Sequence, residues 1–249
     1  MSSDAPARSM IQRRFTRSVT TYSAAASVQR KMARYLVTMC ACQSYPLIVE
    51  LGAGTGFLSD EIVRKLDYGR LIALDMVPEY AGFHAARPRT EFVAADMEHW
   101  TFPAGVDLVA ANAVVQWAED LLGLLRRIRA ALTEGGELLF STFAPSNLAE
   151  LEPFRSRKMN YFSMAELEKM LDQAGVTVTR MVQTTETLEF ADPVAVLRHL
   201  HDTGVGAPGA SGRVWTKKDL AALAGHCRTP GGTYALNYQP LYIAGRRKS

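Results

Sequence analysis

At 249 residues the chain has the length of one large domain, or of a domain with an appended lobe. Apolar residues make up 48% of it and charged residues 21%, the balance of a soluble globular protein, and no apolar run approaches the ~20 residues that a bilayer span requires, so a membrane partner is not expected. The arginine-rich N-terminus lacks the apolar core of an export signal, and Cys40, Cys42 and Cys227 lack metal-ligand spacing; the expectation is a cytoplasmic protein with reduced thiols and no metal. The net charge of +3 is unevenly spread: residues 1–35 hold Arg8, Arg13, Arg14, Arg17, Arg30, Lys31 and Arg34 against Asp4, a local +6 that leaves −3 for the remainder. A basic arm ahead of a mildly acidic body suits an acidic partner or substrate, and equally fits a solvated helix face.

In chain order, residues 24–42 read as an amphipathic helix, with Val28, Met32, Leu36 and Met39 on one stripe. A strand over 46–51 runs into the turn Gly52-Ala53-Gly54-Thr55-Gly56 and a helix from Phe57 to about Leu66. Further strands are expected at 71–74, ending in Asp75, at 91–95, ending in Asp96, and at 106–111, ending in Asn112. A helix over 120–132 stops at Gly135-Gly136, before a fifth strand over 137–143. Strands this continuously apolar, alternating with helices, argue for a parallel sheet covered on both faces. Ser163-Met164-Ala165-Glu166 is a capping box that starts a helix ending before Gly175, and a sixth strand follows at 176–182. Asp192-Pro193 and Thr216-Lys217-Lys218-Asp219 start two more helices on either side of a Gly/Ala/Ser-rich loop at 203–214, and residues 234–244 read as the last strand. The organisation expected is a basic helical arm or lid over 1–45, then one domain over 46–249 with lid insertions at about 144–160 and 185–232.

Ligands of open parallel sheets lie at the carboxyl ends of the strands, near the point where strand order reverses. The first strand ends in three alternating glycines that let a ligand approach the backbone, with Glu50 just inside the turn. Asp75, at the end of the second strand, is placed to accept hydrogen bonds from a ribose diol, with Met76 beside it. Asp96-Met97, at the end of the third, offers an acid and a flexible apolar side chain to an adenine edge and face, and Asn112 ends the fourth. A dinucleotide fingerprint reads G-x-G-x-x-G; here the spacing is E-x-G-x-G-x-G, which resembles the S-adenosylmethionine (SAM) signature of class I methyltransferases. An acid there repels a pyrophosphate but serves the ammonium of the methionine moiety, directly or through water. The N/D-P-P-Y/F tetrad of nucleic-acid N-methyltransferases has no counterpart in Asn112-Ala113-Val114-Val115, so a nucleic-acid substrate is not expected.

Beyond this core the chain resembles the malonyl-acyl-carrier-protein O-methyltransferases of biotin synthesis. The resemblance rests on Phe15-x-Arg17 with Thr21-Tyr22 and Val28-Gln29, on Val115-Gln116-Trp117, and on Phe140-Ser141-Thr142-Phe143. It continues in Leu197-Arg198-x-Leu200 with Gly204, in Trp215-Thr216-Lys217, and in Gly231-Gly232-Thr233-Tyr234 with Tyr238, and it spans about residues 12–245. Ala53 stands where a cysteine is frequent in that family, and Ser23 where an aspartate is common. The resemblance implies a Rossmann-like class I fold, a seven-stranded mostly parallel sheet with a C-terminal antiparallel strand and helical lid insertions. It implies SAM as cofactor and methylation of the free carboxylate of a malonyl thioester on acyl carrier protein. A monomer is expected.

A carboxylate with a pKa near ~4 is ionised at neutral pH, so the reaction needs no general base. It needs an oxygen aligned with the S–CH3 bond at about 3 Å, away from water. Arg198, within the family-like Leu-Arg-x-Leu element, is the candidate cation for the malonyl carboxylate. Tyr22 and Gln29 are the candidates for closing over SAM and positioning the substrate, and Trp117 for lining the substrate pocket. The +6 arm with Arg155, Arg157 and Lys158 supplies candidate contacts to an acidic carrier protein. His84, His99, His199, His201 and His226 show no triad or metal spacing and receive no role. A small-molecule carboxyl or O-methyltransferase with the same core, and a SAM-binding module without transferase activity, remain alternatives.

Overall fold

The computed structural model describes residues 26–154, 160–203 and 216–248. They form two compact units. Of the described residues, the first is built from 28–145, 160–183 and 241–248, and the second from 146–154, 184–203 and 216–240 together with 26–27.

The first unit is a helix-covered seven-stranded sheet. Its strands are β1 (Ser44–Leu51), β2 (Asp67–Asp75), β3 (Thr90–Ala94), β4 (Val106–Asn112), β5 (Leu132–Phe143), β6 (Val176–Gln183) and β9 (Pro240–Arg247), in the order β3-β2-β1-β4-β5-β9-β6. β1 runs parallel to both β2 and β4, β2 to β3, and β4 to β5, whereas β6 and β9 pair antiparallel. Ile48, Leu51, Leu71, Leu74 and Leu108 are completely buried, which explains the unbroken apolar runs: these strands are covered on both faces, each such side chain contributing roughly 1.5–3 kcal/mol. Register brings the functional ends together. Leu51 faces Leu74 on one side and Ala111 on the other, and Asp75 faces Ala94, so the residues that follow β1, β2, β3 and β4 share one edge. The strand order reverses at β1, flanked by β2 and β4.

The helices of this unit are α1 (Ser27–Val37), α2 (Phe57–Lys65), the single turn α3 (Ala81–His84), α4 (Leu121–Ala131) and α5 (Met164–Gln173). α1 buries Val28, Met32 and Leu36 as its stripe demands, but spans less than the expected 24–42. Asp120 caps α4, accepting from the Gly123 N–H at 2.8 Å, and Ser163 with Glu166 forms the expected capping box of α5.

Three expectations are corrected here. The helix expected to run to residue 132 ends at Ala131, and β5 starts at Leu132, with register shifting so that Val106 faces Leu132 but Leu108 faces Glu137. The glycines at 135 and 136 therefore sit in an irregularity inside β5 and do not end a helix. The single strand expected over 234–244 is two strands in different sheets, β8 (Tyr234–Tyr238) and β9, broken where Pro240 brings no N–H to a ladder.

The second unit contains β7 (Glu186–Phe190), which the sequence reading missed, paired antiparallel with β8 so that Glu186 faces Tyr238 and Phe190 faces Tyr234. Helices α6 (Pro193–Thr203) and α7 (Lys217–Cys227) follow, with a 3-10 turn at Ala149–Phe154. Asp192 caps α6 through the Ala195 N–H at 2.8 Å, and Thr216 with Asp219 boxes α7. Buried Asn147 accepts from the Gln239 N–H at 2.9 Å, and His199 Nε2 lies 2.8 Å from the Tyr238 hydroxyl, fixing α6 to β8. The basic arm through Arg17, the basic residues Arg155, Arg157 and Lys158, and Gly204 and Trp215 lie outside the described residues.

Candidate cofactor and active site

The turn after β1 is a left-handed excursion, with φ of 63° at Gly52, 51° at Gly54 and 97° at Gly56. One of its glycines is demanded by packing, and a second lies against the movable end of an arginine. A Cβ at Gly52 would stand 2.3 Å from Val114 Cγ2, and one at Gly56 would stand 2.0 Å from the Arg87 guanidinium. Gly54 differs: the nearest atom to its Cβ position is the Gly52 carbonyl oxygen at 4.0 Å, so its outer side is open. An open glycine face in a left-handed turn is the cradle that a cofactor lying against the backbone needs.

Asp75 is tied to this turn. Its Oδ2 accepts the Gly54 N–H at 2.9 Å and its Oδ1 accepts the Val77 N–H at 2.9 Å. Each oxygen retains acceptor capacity for a ribose diol. Burial outweighs the backbone bonds and pushes its carboxyl up to about 6. The Ala95 N–H donates to the Asp75 carbonyl at 2.9 Å, bringing the end of β3 alongside. There Asp96 accepts the Glu98 N–H at 2.9 Å and closes a turn, and Arg127 donates to the Met97 carbonyl at 2.9 Å and the Trp100 carbonyl at 3.2 Å. Asp96, Met97 and Met76 are half-buried along this edge.

Glu50 lies under the turn, 1% exposed, with the Ser59 hydroxyl 2.5 Å from its Oε2. Desolvation pushes its carboxyl up to about 8, against the opposing influence of Ser59 and Arg87. A buried carboxyl that readily holds a proton fits a site that receives a cationic group and ionises on doing so.

At the end of β4, Asn112 Nδ2 donates to the Gln29 carbonyl at 3.0 Å and Asn112 Oδ1 accepts from the Ser141 hydroxyl at 2.7 Å. Gln29, on α1, is 3% exposed. Ala113 adopts φ 53° and is held there by Ser141 Oγ, which accepts its N–H at 3.1 Å, and by Gln116 Nε2, which donates to its carbonyl at 2.7 Å. Thr142 in turn donates to Gln116 Oε1 at 3.2 Å. Trp117 is half-buried in the same 3-10 turn, Val115–Trp117.

The structure thus assembles Glu50, Gly52, Gly54, Gly56, Asp75, Met76, Asp96, Met97, Asn112 and Gln29 along one sheet edge, with Trp117 in the adjoining turn. Arg198 belongs to the second unit, where it is exposed on α6 and forms no ion pair among the described residues. Tyr22 lies outside the described residues. Ser59 and Arg87 are not among the residues expected from the sequence, Gln116 and Ser141 are there only as parts of the resembling elements, and His84 has no role there, although His84 Nε2 lies 3.0 Å from the Gly54 carbonyl oxygen.

A sheet in this order with an antiparallel final pair, an E-x-G-x-G-x-G turn after β1 and carboxylates following β2 and β3 defines a class I, SAM-dependent methyltransferase. Residues 24–181 match a family model described as a methyltransferase domain. The chain is 32% identical, over 96% of its length and 94% of the relative's, to the malonyl-[acyl-carrier protein] O-methyltransferase of Prosthecochloris aestuarii. It is 31% identical, over 97% and 96%, to that of Chlorobium luteolum. Its fold is similar, at a TM-score of 0.60, 18% identity and coverage of 100% and 92%, to Burkholderia thailandensis 1,6-didemethyltoxoflavin-N1-methyltransferase, solved with its substrate and S-adenosylhomocysteine. The chain belongs to the malonyl-[acyl-carrier protein] O-methyltransferase family.

Proposed function

We propose that this protein methylates the free carboxylate of a malonyl thioester carried on acyl carrier protein. One observation carries this reading. The methyltransferase family model stops at residue 181, but the likeness to the malonyl-carrier-protein enzymes covers 96% of the chain and so includes β7, β8, α6 and α7. A core alone gives a cofactor; a shared second unit gives a substrate.

In this reading the open face of Gly54 takes the methionine moiety, Glu50 answers its ammonium, Asp75 with Met76 holds the ribose, and Asp96 with Met97 receives the adenine. Asn112 and Gln29 close the same pocket. Bound there, SAM supplies an electrophilic methyl group on a sulfonium. The malonyl carboxylate is ionised without help, so the protein contributes alignment and dryness. Arg198 pairs with this carboxylate, and Trp117 lines its pocket. Because the carboxylate loses its charge as the ester forms, a single cation orients it with little ground-state overbinding, and the attraction disappears in the product. Tyr22 and the basic arm over 1–45 cover the cofactor, and the arm with Arg155, Arg157 and Lys158 docks the acidic carrier. The chain works as a cytoplasmic monomer, without a nucleic-acid or membrane partner; no helix of the described residues is long and apolar enough to cross a membrane.

Rates on malonyl-carrier protein, malonyl-coenzyme A and free malonate test the reading. The carrier-bound substrate is expected to be methylated fastest; equal rates on the free diacid would move the protein to small-molecule carboxyl methylation.

A further inference from the structure

We infer that His84 and Arg87 are positioning residues for the cofactor: together they hold the peptide carbonyls of the glycine turn from behind and so set the face that it presents. This rests on the SAM reading of that turn. His84 is the last residue of α3 and Arg87 lies three residues on, in the link from β2 to β3. His84 Nε2 lies 3.0 Å from the Gly54 carbonyl oxygen. Arg87 Nη2 reaches the carbonyl oxygens of Thr55 and Gly56, each at 3.4 Å. Three successive carbonyls of one turn are thus engaged by two side chains three positions apart, in neither the turn nor its helix.

Both clamps are themselves anchored. Arg87 Nε and Nη2 donate to Asp60 Oδ1 at 3.0 and 2.7 Å in the first turn of α2, and Nη1 donates to the Phe83 carbonyl. His84 is 1% exposed and stacks on Phe92 at 5.3 Å between ring centroids. A carbonyl only accepts, so Nε2 carries the imidazole proton and Nδ1 is an acceptor. Nδ1 faces the Ser59 hydroxyl at 3.4 Å, and Ser59 Oγ lies 2.5 Å from Glu50 Oε2. Ser59 donates its single proton to Glu50, so the acid under the turn, Ser59 and the ring that holds the carbonyl at its apex are neighbours in space, with Nδ1 beside the Ser59 oxygen. The imidazole stays neutral there, because burial and the nearby Arg87 charge both lower its basicity.

The consequence is geometric. In a trans peptide the C=O and the following N–H point in opposite directions, so pinning the Gly54 and Gly56 carbonyls toward His84 and Arg87 aims the Thr55 and Phe57 N–H groups the other way. The Gly56 carbonyl also accepts the Asp60 N–H at 2.8 Å and the Gly56 N–H donates to the Ala53 carbonyl at 2.9 Å, so the plane that relies most on the clamp is Gly54–Thr55, held through His84 in a segment whose glycines oppose rotation least.

The test uses full-length protein with malonyl-carrier protein and SAM, comparing His84→Phe, which keeps the ring and its stack but has no donor, with His84→Gln, whose amide N–H stands near the position of Nε2. The KM for SAM is expected to rise about tenfold in His84→Phe, the equivalent of one buried hydrogen bond, with the KM for the carrier substrate unchanged. His84→Gln is expected to restore it to within about threefold. Should His84→Phe fail to fold, Arg87→Met against Arg87→Lys makes the same comparison from the protein's edge. SAM affinity unchanged in the donor-less variants, or both KM values rising in parallel without rescue, overturns the assignment. Failure of the SAM reading itself is distinct, since the unsubstituted protein would then bind no S-adenosylhomocysteine in calorimetry.

Discussion

Replacing Gly54 by alanine separates what the fold needs from what the cofactor needs. The φ of 51° puts the residue in the left-handed region, where an L side chain costs about 1–2 kcal/mol. No packing cost adds to this, because a Cβ there meets nothing closer than the Gly52 carbonyl oxygen at 4.0 Å. The loss corresponds to roughly 2–8 °C in Tm for a chain of this size, so the variant stays folded at working temperature. Gly52→Ala is the contrasting control. Its Cβ would meet Val114 Cγ2 at 2.3 Å, adding an overpacking cost of about 1–3 kcal/mol to the same strain. In Gly54→Ala the methyl group stands where the cofactor touches the backbone, displacing charge-assisted contacts that are worth about 1.5–3 kcal/mol each, or roughly 10–150-fold in affinity. Calorimetric titration with S-adenosylhomocysteine and a thermal melt of the same sample read the two effects separately. A Gly54→Ala protein that melts as expected and binds within twofold of the parent would refute the placement of the cofactor.

Asp75→Ala is expected to weaken cofactor binding by about 2–4 kcal/mol, since it removes the acceptor of two backbone N–H groups as well as the ribose contact; calorimetry checks this, and intact affinity with lost carrier-substrate use would reassign the residue. Arg198→Ala is expected to raise the KM for malonyl-carrier protein about tenfold or more while cofactor affinity holds, and an unchanged kcat/KM would remove its role. The two buried acids predict the pH behaviour. Glu50 titrates near 8 and Asp75 near 6, above their ordinary values of 4.5 and 3.8, so the native protein holds protons that the unfolded chain has released. Ligand-free stability therefore falls as pH rises from about 4 through 8. A cationic cofactor prefers the ionised acids, so its affinity rises over the same window. The shift in Tm produced by saturating SAM is expected to grow from pH 5.5 to about 8; a shift constant across that range would disprove the linkage. If the carrier docks on the basic arm, its KM rises with ionic strength while that of SAM does not.

What could be read from the sequence follows from the range of the interactions. β1, β2 and β4 were legible because each carries an apolar run buried on both faces, and the ends of β1 and β2 announced themselves by glycine and acid. Both capping boxes, Ser163 with Glu166 and Thr216 with Asp219, are contacts over three residues and needed no tertiary knowledge. The division of the last strand at Pro240 was hidden because both halves are largely apolar and buried, and only the pairing of β8 with β7 and of β9 with β6 separates them. β7 has a weak pattern, since its exposed and half-buried residues alternate without a buried run. The supports of the site were the least visible. His84 and Arg87 meet the glycine turn only after the chain has passed through α2 and β2, and Ser141 reaches Asn112 from 29 residues away. A lone histidine without metal or triad spacing carries no signal of such a role. Searching for a donor near residue 84 requires knowing first that the carbonyls of the turn face that way.

The most direct test of the central claim is mass spectrometry of malonyl-carrier protein after incubation with this protein and SAM. A gain of one methylene mass, confined to the malonyl group and absent with the unloaded carrier, is the predicted result. Unchanged mass at saturating SAM, with S-adenosylhomocysteine binding intact by calorimetry, would contradict it.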